Sequence, residues 1–561
     1  MKKSTHYNRY TLHVTRYNCN PLTLLFLSAF CLLPSTLLAD KISYEIKQEF
    51  SVSKIETELQ NIINNATYSD TVIVTGSKTD ADKTLTLNIA ADKMVVWQAT
   101  YQSTPSIKID ALLSFLGSGT FEVANGTLIT ENAHAINATG LGSTVIVSGN
   151  GKVQTSGSVT QISGTEVHTI NTSGNVEIKD NAQVSGTAGE VIGSNSDNSM
   201  VTVSGGSITT KSGNAIVTRG KDSKIFVSGG YVSNDADDHY PTIYAKDQRP
   251  GSNAFVHVSG TAVVEAKGYS YAVVTEGSVK VSGDAQITNS KGFNVYTATI
   301  RASNFVEVGD NAKISASKNN AIFCLGSVYI SGNAKVEAKE DAVAIFISGG
   351  SDMEYVTVRD KAQVIAANNY AISHNISKLS VRVFGGVVFA YGNERSHVIN
   401  STYFLSLIDS SGLVLAWDKD AGNTNYERFS TDDIFVSKET ATAYWDVKGG
   451  KHGISYANGN NTGFIPLEVN VLSVKEQDLP GIEVYPNPTT GELRIEVAGQ
   501  ARNDVQGVEV FDVYGRKVLD DHNSYGLTVL RSYGLSNLPA GVYFVRIEIE
   551  KGTITKKIIK Q

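Results

Sequence analysis

From residue 119 onward one short pattern keeps returning: apolar, any residue, apolar, then a Ser-Gly or Asp-Asn turn, as in VTVSGG, VKVSGD, VEVGDN and VYISGN. A motif repeated this often describes stacked, similar units rather than one globular core. The last apolar residue before each turn serves as an anchor: Val123, Val147, Ile178, Val203, Val227, Val258, Val281, Val308, Ile330, Val358 and Val383. Successive anchors lie 22 to 31 residues apart. That period fits one coil of a parallel β-helix, with three short strands and three turns.

Within each unit, period-two alternation sends the outer two residues of the triplet inward and the middle one outward. Gly and Asn in the turn supply the positive φ that a sharp corner requires. A second strand follows as AQV, AQI, AKI or AKV, and a third as an Ala-Ile pair: Ala135-Ile136, Ala215-Ile216, Ala321-Ile322 and Ala371-Ile372. The expected fold class is all-β: a parallel β-helix with about 11 regular coils over residues 119–392, a rod on the order of 50 Å long. The uneven period rules out a flat, regular binding array and makes the longer coils carry loops outward.

A stack of strands has two ends, and open edges recruit other chains unless covered. Residues 40–118 are read as an N-terminal cap and irregular first coils. There Ser53-Lys54-Ile55-Glu56 reads as a capping box opening a helix with Ile55, Leu59, Ile62, Ile63 and Ala66 on one stripe. Residues 393–472, where the repeat dissolves, form the opposite end region. Trp97, Trp417 and Trp445 all fall in these ends and read as aromatic filling.

The first 39 residues differ from the rest. Lys2, Lys3, Arg9 and Arg16 precede the apolar run Leu22 to Leu33, and Ala39 precedes Asp40. This predicts a secretory signal peptide cleaved after Ala39, the run being too short to span a bilayer well. No other apolar run approaches membrane length, so no transmembrane segment is expected in the mature chain. Of three cysteines, Cys19 and Cys31 lie in that leader, which leaves Cys324 without a disulfide partner and flanked by apolar residues. A net charge of −7 with no Lys/Arg cluster argues against nucleic acid as a partner.

After a polar linker, residues 473–481, the pattern changes to a compact β module over 482–561. Val484-Tyr485-Pro486-Asn487-Pro488 and Gly491 open it, VEVFDVYGRKVL with Gly515 follows, then LPAGVYFVRI with Pro539, Gly541 and Tyr543, and finally KKIIK with Lys556 and Lys557. In this order and at this position, the tail resembles the type A C-terminal sorting domain of the type IX secretion system of Bacteroidota. The resemblance implies an immunoglobulin-like sandwich recognised by the outer-membrane translocon and removed by the system's sortase. It also implies that the passenger ends at the cell surface or outside the cell. The passenger more loosely resembles Gly-rich parallel β-helix surface proteins with a leading helix and a Gly-Ile-x-Tyr-Ala-Asn-Gly segment, here Gly453 to Gly459, a family with no activity to carry over.

Pectate lyases and polygalacturonases share the parallel β-helix, so an enzyme has to be tested on site chemistry rather than on fold. The outward middle residues of the first strands read Glu122, Ile146, Glu177, Thr202, Phe226, His257, Lys280, Glu307, Tyr329, Thr357 and Arg382. No two carboxylates are neighbours, so this face lacks an acid/base dyad. Phe226, His257, Lys280, Glu307 and Tyr329 are the candidate outward ladder. The insertion between Val227 and Val258 adds Asp235, Asp237, Asp238, His239, Asp247 and Arg249. Carboxylates so spaced would suit calcium and a sugar acid, though a solvated loop, which collects polar residues anyway, is the favoured reading. No cofactor motif is present. The reading is a non-catalytic passenger that binds glycan, host or matrix surfaces or serves as structure; the alternative is a polysaccharide lyase or glycoside hydrolase acting through that insertion.

Overall fold

The computed structural model describes residues 41–392 apart from short stretches (68–69, 106, 158–160, 163–164, 236–238, 248–252, 293–296, 350–352, 368 and 377). From 398 to 561 it describes the strands and some of the turns, leaving out 419–440, 467–481, 498–504, 522–529 and several shorter turns. The proposed signal peptide therefore lies outside the described residues. The chain divides into two compact units, one running to Thr442 with 457–461, the other comprising Ala443–Tyr456 and 462–561.

The first unit is a parallel β-solenoid of about 12 turns. Three faces run along it, and every strand pairs in parallel with its counterpart one coil on. In the central coil Val328–Ile330 lies between Val306–Val308 and Val356, Thr357 and Val358. Lys335–Ala338 lies between Lys313–Ala316 and Gln363–Ala367, and Ile345–Ile347 between Asn320–Cys324 and Ile372–His374. Alternation is as strict as the sequence demands: Val328, Ile330, Val336 and Ile345 are fully buried, whereas Tyr329 stays 42% exposed. Each fully buried Val or Ile contributes about 1.5–3 kcal/mol, and the inward side chains form one continuous core. No coil could bury its own face; stacking does so.

Parallel pairing extends beyond residues 119–392 at both ends. Stacking begins with Lys41–Ile46 paired to Thr71–Ala81, in register from the start, with one irregularity between Lys78 and Ala81. It also continues past Gly392, through Ile399–Asn400, Phe404–Ile408 and Leu413–Asp418. Those segments keep one Ser-Gly pair, Ser411-Gly412, in an otherwise irregular stretch, and they keep the parallel hydrogen bonding, so the pattern alone understates how far the stack runs.

The corner after the first strand has its own order. Gly283 and Gly332 have φ +66, and Asp310 and Asp360 occupy the same left-handed region at φ +55 and +63. The Gly283 N–H donates to the Asp310 carboxylate at 2.8 Å, and the Gly332 N–H to Asp360 at 3.0 Å. Asp tolerates this conformation where its side chain accepts a local bond. Alternating Gly with Asp thus gives the corner its turn and ties adjacent coils.

The helix Val52–Asn65 starts earlier than the capping box suggested. The Ser51 side chain accepts from the Lys54 N–H at 3.2 Å, so Ser51 is the N-cap and Ser53 lies inside the first turn. Glu56 is then free to accept from the Thr86 N–H at 2.9 Å, and Gln60 exchanges hydrogen bonds with the Asn88 backbone at 2.7 and 3.0 Å. Ile55, Leu59 and Ile63 are buried as predicted, and Ile62 is partly buried against the same core. Trp97 is fully buried against Tyr101 and Phe121, so it is core filling.

Cys324 is buried in the third face, its thiol near the Asn304 and Ser327 carbonyls, and burial pushes that thiol up to about 12. A thiol-reactive dye is therefore expected to leave it unlabelled in the native chain at mildly alkaline pH and to label it fully after denaturation. Rapid native labelling would contradict its placement.

In the second unit, Ile482–Tyr485, Glu492–Val497 and Leu530–Gly534 form one antiparallel sheet. Lys517–Asp521, Val505–Asp512, Gly541–Ile549 and Gly552–Lys560 form another. Leu493 of the first and Val508, Val510, Tyr543, Val545, Ile547 and Ile558 of the second share a separate core. A further three-stranded sheet comprises Ala441–Lys448, Lys451–Asn458 and Asn461–Pro466.

Candidate functional site

The outward residues of the first face stack as a ladder. Phe226, His257, Lys280, Glu307, Tyr329, Thr357 and Arg382 are consecutive register partners. Lys280 Nζ lies 2.9 Å from Glu307 Oε1, both half exposed, an arrangement that contributes about 0–1 kcal/mol. His257 Nε2 lies 3.0 Å from the Ser282 hydroxyl, and burial followed by the Lys280 charge lowers its pKa. Phe226 packs edge-on to the His257 ring and Phe255 packs tilted against it, and Arg382 lies over the Tyr355 ring at 4.1 Å. Nothing here pairs two carboxylates across a cleft.

Beside Tyr329, at the corner where the third face turns into the first, is an open cleft of about 540 Å³. Ser303, Asn304, Phe305, Ser327, Tyr329 and Glu354 line it, with Phe305 38% and Tyr329 42% exposed. Glu354 accepts from the Ser327 hydroxyl at 2.8 Å. The arrangement is two aromatic faces bordered by hydroxyl, amide and carboxylate groups.

The Asp-rich insertion is only partly within the described residues. Asp235 is exposed and already paired with Lys267 at 2.9 Å, and its carboxylate raises the Lys267 pKa. His239 is exposed, Asp247 is buried, and Asp237, Asp238 and Arg249 lie outside the described residues. Among the described residues, the group of three ligand-bearing side chains within 4.8 Å of one another is elsewhere, at Glu166, His168 and Glu190.

That second cluster escaped the sequence reading, although its coil was as long as the one singled out: Val147 to Ile178 also spans 31 residues. The extra residues include a small antiparallel pair, Gln161–Ile162 with Thr165–Glu166, just ahead of the third-face strand His168–Thr172. His168 and Glu190 are register partners on adjacent strands and both are buried. His168 Nε2 lies 2.6 Å from Glu190 Oε2. Arg219 donates to Glu166 at 2.7 Å and to Glu190. An amide ladder, Asn137 to Asn171 to Asn195 at 2.9 Å per step, leads to Arg219 and orients it.

Burial alone would raise the Glu190 carboxyl, but the His168 and Arg219 hydrogen bonds and charges outweigh it and hold it at about 2. Glu190 is thus ionised and His168 Nε2 is the donor. The His134 ring stacks on His168 at 5.5 Å, and its Nδ1 accepts the His168 backbone N–H at 2.9 Å. Burial, then the neighbouring His168, holds His134 down at about 4. Gly193 faces the imidazole: a Cβ there would sit 2.4 Å from His168 Cδ2. The outer ladder is left empty at that rung to make room for the ring.

The tail brings its motif residues together as well. The Tyr543 hydroxyl donates to the Pro539 carbonyl at 2.7 Å, and Gly541 opens a strand whose partner ends at Lys560. Pro486 and Pro488 are exposed, and just beyond them the Thr489 N–H donates to the Ile559 carbonyl at 2.8 Å. Lys556 and Lys557 pair with Val545 and Phe544. Asn487, Gly491 and Gly515 lie outside the described residues.

A motif-bearing antiparallel module behind a β-solenoid defines a class, that of exported passengers carrying their own address. Residues 483–561 match the family model described as the secretion system C-terminal sorting domain. The tail is therefore a type IX sorting domain that engages that machinery, and the protein is secreted or displayed at the cell surface. No curated protein and no solved structure matches the chain. Among the described residues no helix is long and apolar enough to cross a membrane.

Proposed function

We propose that the solenoid is a non-catalytic passenger that binds an extended glycan along its first face, centred on the cleft between Phe305 and Tyr329. The observation carrying this reading is the pair of exposed aromatic faces bordered by Ser303, Asn304 and Glu354. Sugars stack their apolar ring faces on aromatics while polar side chains take the hydroxyls. A long ladder of single outward residues suits an extended ligand better than a compact one. The absence of neighbouring carboxylates on this ladder supports binding over hydrolysis. On a glycan array, Tyr329→Ala and Phe305→Ala are each expected to weaken binding by about 1 kcal/mol, roughly fivefold, with the fold unchanged by circular dichroism. Binding unaltered in the double variant, or release of unsaturated or reducing-end product by the wild type, removes the proposal.

The same reading has a leader removed after Ala39 and the helix Val52–Asn65 as the plug of the solenoid. The plug is supported by Glu56 and Gln60 satisfying backbone groups around the first strand of the third face. The tail folds as an immunoglobulin-like sandwich, supported by two sheets over one core and by the tyrosine hydroxyl bonded to the backbone upstream. The sortase then cuts within 473–481.

A further inference from the structure

We propose that Glu166, His168 and Glu190 form a binding site for a divalent transition-metal ion of the zinc type, with Arg219 as the internal cation that holds the site closed when no metal is bound. One imidazole nitrogen and two carboxylates are the donor set such ions take, whereas calcium favours oxygen alone. The three donor atoms already lie within 4.8 Å of one another. Ligand distances of about 2.0–2.2 Å put neighbouring donors of a tetrahedral ion roughly 3.4 Å apart. The 2.6 Å contact between His168 Nε2 and Glu190 Oε2 therefore opens to admit the ion, and Glu166, half exposed at the end of its short hairpin, moves in to complete the set.

Three features set this cluster apart from an ordinary surface ion pair. The His168 residue is only 6% exposed and aims Nε2 at Glu190, yet its Nδ1 has no hydrogen-bond partner among the described residues. Leaving a buried nitrogen unpaired is unfavourable, and it keeps Nδ1 open to carry the ring proton once Nε2 becomes a ligand. The ring's place is built in advance by the missing side chain at Gly193, the stacked His134 and the His134 acceptor for its backbone N–H. Such support is what fixes a metal-ligating histidine before the metal arrives. Finally, Arg219 keeps a second anchor on Asn195 Oδ1 and is 29% exposed, so its guanidinium has a route out of the carboxylate pair.

Binding exchanges cations. The ion takes both carboxylates and Nε2, the ring proton passes from Nε2 to the unpaired Nδ1 so that the imidazole stays neutral, and the guanidinium withdraws toward solvent. Two negative charges then face a double positive charge instead of a single one.

The test is calorimetric titration of the full-length chain with zinc chloride, with competition by a chromophoric chelator. One zinc per chain is expected, and Glu166→Gln, a substitution at an exposed position, is expected to weaken binding by about tenfold or more with an unchanged circular dichroism spectrum. Arg219→Ala removes the competing cation and is expected to tighten binding, an effect opposite to that of losing a merely structural contact. No stoichiometric zinc binding, an affinity unchanged in Glu166→Gln, or weaker binding in Arg219→Ala overturns the proposal.

Discussion

A chain ending before Ile482 is expected to fold its solenoid and fail to leave the cell. The passenger core and the tail core are separate clusters, with no residue in common, so removing the tail takes nothing from the inward Val/Ile/Ala stack. It does take away the sorting module matched over residues 483–561. In a type IX-competent host, fractionation and immunoblotting should find the truncated chain almost entirely in the periplasm, against near-complete export of the full chain. Export at normal levels without the tail would contradict the assignment. A narrower version replaces Tyr543 with Phe, which keeps the buried ring and removes the bond to the Pro539 carbonyl. A net loss of about 1 kcal/mol is expected in the tail alone.

The second large effect separates two adjacent residues of one strand. Ile330→Asp places a carboxylate where the side chain is fully buried against inward residues of the neighbouring coils, while Tyr329 beside it faces solvent. Burying an unpaired charge is among the few mechanisms that cost more than about 4 kcal/mol, and Tyr329→Asp is expected to stay within roughly 0.5 kcal/mol. Because a solenoid's stability is a sum over neighbouring coils, the damage should appear as local opening before global loss. Limited proteolysis is expected to nick Ile330→Asp near this coil under conditions that leave Tyr329→Asp and the wild type intact. Equal resistance of all three chains would mean that the inward and outward assignments are wrong.

How much of this was readable in advance follows from how far each signal reaches along the chain. The inward and outward parity of Val328, Tyr329 and Ile330 depends on neighbours one residue away, so a period-two pattern discloses it. The corners depend on positive φ at single positions, which Gly283, Gly332, Asp310 and Asp360 advertise by their identity. The tail is a set of short motifs in fixed order, and it too was legible. The helix start was missed by two residues because Ser51 and Ser53 are both competent caps, and only the hydrogen bond to the Lys54 N–H separates them.

The Glu166, His168, Glu190 and Arg219 cluster had no such local signature. Glu166 and Arg219 are separated by 53 residues, and they meet only because the coils between those positions stack in register. Asp235 of the Asp-rich insertion likewise meets its partner, Lys267, from the next coil. Alternation and backbone preference, written residue by residue along the chain, dictate a coiled parallel stack, its inward residues and its corners, and short motifs dictate its address. Which outward side chains meet is settled in the folded stack, because outside the core no periodic force aims them, and the partners come from different coils.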